Sequence, residues 1–237
     1  MINLVKSNER GHTKLDWLNS YHSFSFGDYF DPKHHNFGPL RVLNDDTVEP
    51  GTGFGAHPHH DMEIVTYVLE GELEHQDSTG GRGVIAANEV QRMTAGKGIV
   101  HSEYNHSDLD RVHFLQIWFM PNKQGLTPGY EQKQFTKEHR KNILLPVASP
   151  SAEGGSVRIN QDVAMFISHL EPSKQLAHSL ASGRGGYLFV VRGGLNVNGT
   201  ALSGGDAVAI SDEKEIAVTA TNETELVFFD VPLEGWH

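Results

Sequence analysis

The chain has 237 residues, with 19 Lys and Arg against 30 Asp and Glu, a formal charge of −11 and no cysteine. The acidic balance argues against direct nucleic-acid binding, which clustered Lys and Arg drive, and the missing thiols exclude disulfides, thiolate metal sites and a cysteine nucleophile. Apolar runs fall far short of the ~20 residues a membrane-crossing helix needs, and Met1 to Lys6 opens no apolar signal core, so a cytoplasmic protein is expected.

Along the chain, segments 67–69, 112–120, 163–169, 187–191 and 226–231 are rich in β-branched, aromatic and aliphatic residues, and Gly, Asn, Asp and Pro punctuate them. This pattern predicts an all-β sandwich or barrel rather than a parallel α/β sheet. Helix is expected at most near 133–140 or 173–181. Thr66-Tyr67-Val68-Leu69-Glu70-Gly71-Glu72-Leu73 and Leu188-Phe189-Val190-Val191-Arg192-Gly193-Gly194-Leu195 each read as a strand, a glycine break and a second strand. Each is followed by a turn and a further apolar strand, at 88–91 and 205–208, so one β-unit is expected to occur twice. The polar stretch 146–155 is the expected connection, dividing the chain into units 1–145 and 146–237.

Histidine is concentrated, with 12 of 15 copies at or before residue 139. The stretch Gly51 to Glu63 contains His57-Pro58-His59. Residues two apart on a strand project from one face, so both imidazoles can reach one ion. Composition alone would produce about one such pair, so the second pair matters more: His101-Ser102-Glu103, at the same spacing and after the glycine-rich turn Gly96-Lys97-Gly98. Two such pairs on adjacent strands would set three imidazoles and a carboxylate around one point, a set suited to a first-row divalent metal with open positions for substrate or oxygen. Glu63 shares strand parity with His57 and His59 if no bulge intervenes, and a role behind the ligands is expected for it. His60 has the opposite parity and is expected to point away, and His34-His35 reads as a solvated turn.

Along His113 to Met120, alternation puts Phe114, Gln116, Trp118 and Met120 on one face and His113, Leu115, Ile117 and Phe119 on the other, without saying which looks inward. Phe24, Phe26 and Phe54 are candidates for pocket or core. In the second half the position matching His-x-His offers a lone histidine, His178, so this unit is expected to lack metal ligands.

Five stretches together resemble the pirin family of double cupins, which includes quercetin 2,3-dioxygenase-like bacterial proteins: His22-Ser23-Phe24-Ser25-Phe26, Leu40 to Asp46, Phe54 to His59, Met62 to Gly71 and Met93 to Glu103. The resemblance covers nearly the whole chain. It implies two packed β-barrel cupin domains of jelly-roll type, with a mononuclear metal, usually iron, in the first. It also implies that His57, His59, His101 and Glu103 are the ligands, leaving Glu63 outside the set.

The function so implied is a dioxygenase that opens a flavonol such as quercetin with dioxygen and releases carbon monoxide, Glu103 taking the substrate's proton. Fe(II) is the expected ion, with Cu, Ni, Mn or Zn as alternatives by ligand chemistry. The competing expectation is a metal- or redox-sensing regulator that docks on a protein partner, which the acidic charge does not contradict.

Overall fold

The computed structural model describes residues 1–235, and its regular structure is strand apart from three short 3-10 turns. The first half forms a seven-stranded sheet in the order Gly129–Gln134, Glu89–Thr94, Glu63–Glu70, Val112–Phe119, Leu40–Val48, Leu18–His22 and Gly11–Lys14. A four-stranded sheet, ordered Gly53–His59, Ile99–Asn105, Glu72–Asp77 and Arg82–Ala86, closes over it. The second half repeats the plan with another seven-stranded and another four-stranded sheet.

The repeat foreseen in the sequence is structural. Glu63–Glu70 turns into Glu72–Asp77 at Gly71, and Arg184–Arg192 turns into Gly194–Val197 at Gly193, both glycines having left-handed φ, 78° and 91°. The first strand, Ile2–Val5, pairs with Ala207–Ile210. It therefore belongs to the second-half sheet rather than to the unit 1–145 in which the sequence places it.

Strand alternation decides where the cores lie. Leu115, Ile117 and Phe119 point from the first seven-stranded sheet into a shared core with Met165, Ile167, Phe189, Val227 and Phe229 of the second, so the large sheets pack back to back. The opposite face, with Phe114, Gln116 and Trp118, looks into the first barrel. That settles the question parity left open. The second barrel holds one continuous apolar cluster built around Leu188, Val190, Ile216 and Phe228. The first barrel's apolar residues split into two smaller clusters, one with Leu73, Ile85 and Phe114 and one with Ile64, Met93 and Ile99.

Three expectations are corrected. Segment 133–140 is not helical: Gly129–Gln134 is an edge strand and only Glu138–Arg140 makes a 3-10 turn. Segment 173–181 contains the strand Gln175–Ser179, whose burial alternates with period two, so a helix would expose half of what it buries. The stretch 146–155 is not a free linker. Leu145–Ser149 is a strand of the second large sheet, with Val147 and Ala148 fully buried, because this polar-looking stretch still supplies an apolar pair to the shared core.

Buried polar ties join the halves as well. The Arg140 guanidinium, 3% exposed, donates to Tyr67 Oη and Asn88 Oδ1 on one side and to Glu225 Oε1 on the other. Phe119 is fully buried with its ring edge-on to Phe229 at 5.8 Å. Replacing it, Phe119→Ala, is expected to cost about 3–5 kcal/mol, read as a lower urea midpoint with both barrels unfolding together. A loss under about 1 kcal/mol would show that the sheet-to-sheet core is not what stabilises the pair.

Candidate metal centre

The centre is built where Gly53–His59 pairs antiparallel with Ile99–Asn105. His57 lies opposite His101 and His59 opposite Ile99, but the register then slips, so that Glu103 faces Phe54 and two residues, Gly55 and Ala56, oppose Ser102 alone. This is a β-bulge, which re-aims side chains. Without it Phe54 would point away from the histidines; with it Phe54, His57 and His59 are shielded while Gly55, Ala56 and Pro58 are exposed.

The rings of His57, His59 and His101 converge, with centroids 4.4 Å apart for His57 and His101, 4.8 Å for His57 and His59, and 4.9 Å for His59 and His101. One nitrogen from each lies within 4.8 Å of the others. His57 donates Nδ1–H to the carbonyl of Gly55 at 2.7 Å, which leaves Nε2 as its free lone pair. Nε2 of His59 and Nε2 of His101 are buried with no hydrogen-bond partner among the described residues. Such atoms are costly to leave unmet, and an imidazole trio with free Nε2 atoms is the donor set a divalent cation takes. The residues fit a divalent metal.

Electrostatics agree. Burial, helped by the neighbouring imidazoles, pushes His59 down to about 4 and His101 down to about 3. Both are therefore neutral at pH 7, the form that binds metal.

Glu103, 3% exposed, is placed differently from the trio. Its carboxylate lies within 4.8 Å of ring nitrogens of His101 and His75, in a separate set from His57 and His59. Gln116 Nε2 donates to it at 2.9 and 3.2 Å and Thr66 Oγ1 at 3.4 Å, both from the large sheet. Three of the four expected ligands thus meet directly, and the fourth adjoins them through His101.

A cavity of about 210 Å³ opens beside this cluster, lined in part by Phe26, Phe54 and Trp118 and by Asn44, Asp46 and Gln116. The edge of Trp118 meets the His59 ring at 4.8 Å. Asp46 is 3% exposed, and its Oδ1 is buried without a partner among the described residues. Burial first, then the charges of Asp45 and Glu103, push its carboxyl up to about 7 against an opposing pull from Ser20 and His113. Phe24, by contrast, belongs to the shared core.

Glu63 is corrected. It is fully buried but far from supporting the ligands: it accepts from Thr94 Oγ1 at 3.2 Å and from Asn160, by backbone at 3.0 Å and side chain at 3.3 Å. The chain turns at Asp61, with φ 47°, so parity does not carry from His59 to Glu63. His60 points to solvent beside Asp61, and His34 sits in a turn on Asp31 at 2.8 Å.

In the second barrel His178 donates to Asp230 at 2.7 Å and packs between Phe166 and Phe228. The second half also carries a His-x-Glu, His169-Leu170-Glu171, which the sequence reading passed over. His169 pairs with Glu223 at 3.2 Å and Glu171 with Lys141 at 2.9 Å, so the two engage separate partners.

Sequence reasoning missed Asp46 and the buried pair His75 and Asp77. The signal for the latter was present as His75-Gln76-Asp77, a third pair at strand spacing.

Among the described residues, no helix is long and apolar enough to cross a membrane. The pirin family model matches residues 4–119, and the model for the quercetinase C-terminal cupin domain matches residues 146–231. A quercetin 2,3-dioxygenase of Escherichia coli K12 is 47% identical over 232 residues, 98% of this chain and 99% of that protein. A putative quercetin 2,3-dioxygenase of Pseudomonas aeruginosa is 40% identical over 222 residues, 93% of this chain and 95% of that one. The crystal structure of bacterial pirin YhhW from Escherichia coli, in complex with nickel(II), superposes with a TM-score of 0.93 at 46% identity, covering 98% of this chain and 99% of that one. With two cupin barrels in this order and relatives matching end to end, the chain belongs to the pirin family.

Proposed function

We propose that this protein is a metal-dependent dioxygenase that opens a flavonol such as quercetin, consuming dioxygen and releasing carbon monoxide, with Fe(II) held by His57, His59, His101 and Glu103. The observation that carries the reading is the convergence of three imidazoles beside a cavity with aromatic walls. The names of the full-length relatives support it. When bound, the metal would supply Lewis acidity toward the flavonol hydroxyl and electron density toward dioxygen.

The chain's own groups have distinct work. Phe26, Phe54 and Trp118 give flat surfaces against which aromatic rings pack. At about 210 Å³ the cavity is smaller than the ~300–1,000 Å³ usual for drug-sized ligands. A flavonol therefore seats its hydroxyl-bearing edge inward and leaves its outer ring against the exposed Gly27 and Asp28 at the mouth. Glu103, held in place by Gln116, accepts the hydroxyl proton on a carboxylate oxygen. Asp46, protonated below about pH 7, donates to a substrate oxygen from the other wall.

Two measurements test this. Purified protein is reconstituted anaerobically with Fe(II), and quercetin loss is followed together with oxygen uptake and carbon monoxide release. One carbon monoxide per flavonol is expected, with turnover abolished in His101→Ala and lowered at least about 100-fold in Glu103→Gln. One tightly bound metal and no turnover would sink the flavonol reading and favour the regulator.

The second concerns Asp46. Its folded value of about 7 lies above the ordinary 3.8, so the folded state holds a proton that the unfolded state releases between those values, and stability falls as pH rises across that window. Asp46→Asn, which removes the titration, is expected to melt higher than the parent at pH 8. The gap should close by about pH 4, near the ordinary carboxylate value; an unchanged gap at both ends would show that Asp46 is not held protonated.

A further inference from the structure

We infer that Asp77 and His75 form a fixed hydrogen-bond relay that sets the tautomer of His101, making them positioning residues for the metal centre. This rests on the metal reading above. All three side chains are buried: His75 and Asp77 have fully shielded side chains, and His101 is 2% exposed. They stand on neighbouring strands of the small sheet, where Glu72–Asp77 pairs directly with Ile99–Asn105 and sets Asp77 opposite His101.

The direction of each hydrogen follows from chemistry. Asp77 Oδ1 accepts from Thr79 N at 2.8 Å, Thr79 Oγ1 at 2.6 Å and Gly81 N at 3.1 Å, which leaves Oδ2 for His75 Nε2 at 3.0 Å. A carboxylate only accepts, so His75 carries its hydrogen on Nε2 and its lone pair on Nδ1. That lone pair lies 3.4 Å from Nδ1 of His101. Two facing nitrogens need one hydrogen between them, so His101 carries it on Nδ1. Its remaining lone pair is then on Nε2, the buried atom without a partner among the described residues.

The chain is built to hold this geometry. A Cβ at Gly81 would come within 2.2 Å of Asp77 Oδ2, so only glycine leaves room for the carboxylate to turn toward His75. Tyr130 packs against the His75 ring at 5.1 Å and keeps it from swinging out. His57 receives its tautomer from one backbone carbonyl; His101, deeper in the barrel, receives it from a two-residue side-chain path. Partners behind metal-binding histidines commonly fix the tautomer in this way.

The variant Asp77→Asn inverts the relay without changing shape. Three donors converge on Oδ1, so the asparagine oxygen must stay there, and its NH2 must face His75 Nε2. His75 then moves its hydrogen to Nδ1 and His101 moves its own to Nε2, where it blocks metal. Two readouts are taken on the full chain: long-range proton–nitrogen NMR of histidine-labelled protein without metal, and Co(II) titration against a chelator with its visible spectrum. The expected result is Nδ1-protonated His101 in the parent, Nε2-protonated His101 in Asp77→Asn, and Co(II) affinity lower by about 10- to 100-fold. His75→Gln, whose amide oxygen can still accept from His101, should retain more affinity than His75→Phe, and this comparison decides the matter if Asp77→Asn does not fold. Nε2-protonated His101 in the parent, or equal affinity in all variants, overturns the relay. A parent that binds no Co(II) defeats the metal reading instead, and the tautomer spectrum then decides the relay alone.

Discussion

Imidazole nitrogens buried without a hydrogen-bond partner among the described residues are the constraint on which the first barrel depends. Each unmet buried polar atom costs on the order of 1–3 kcal/mol, and Nε2 of His59 and Nε2 of His101 are two of them. A barrel of this size could instead close on apolar side chains, and the second one does, with a single cluster running through its interior. The first has its apolar residues parted into two groups, and it buries the polar side chains of Thr66, His75, Gln91, His101, Glu103 and Gln116. Packing stability has been given up in one of two copies of the same plan. A cation at the trio satisfies the same atoms that make the barrel costly, so the function and the cost share one origin.

Strand geometry explains how so few residues suffice. Antiparallel pairing sets His57 directly against His101, and alternation brings His59 and Glu103 to the same interior. A single bulge at Gly55 and Ala56 then turns Phe54 inward as well, so metal ligands and pocket wall come from one strand.

Much of this was legible in the sequence. The all-β character follows from period-two alternation and frequent turn residues, and the doubled unit from Gly71 and Gly193 after matched strands. The spacing of His57, His59, His101 and Glu103 foretold which residues share an interior. The remainder depends on facts that no local pattern contains. Glu63 was misread because parity was carried through a turn whose left-handed residue, Asp61, resets it. Helix was expected at 173–181 because a short polar segment has weak periodicity, and pairing with Glu215–Ala220 made it a strand. Asp46 looked like one acidic residue in a run of two; only closure of the barrel shows that Asp45 meets Arg10 and His113 while Asp46 faces the cavity.

The apolar filling of the second barrel does not make it a passenger. Gln116 and Thr66, which hold the Glu103 carboxylate, stand on strands whose opposite faces carry Leu115, Ile117, Val65 and Tyr67 into the shared core. A shift of the large sheet against its neighbour would therefore move these two hydrogen-bond donors relative to Glu103 and the histidines, which all stand on the small sheet. Glu63 on Asn160 and Arg140 between Tyr67 and Glu225 oppose such a shift with buried, directional bonds. Productive geometry at a site of this kind has tolerances of about 0.5 Å. The second barrel's apolar filling thus acts on the site at a distance, by making one wall of the first barrel stiff enough to keep Gln116 and Thr66 on the Glu103 carboxylate.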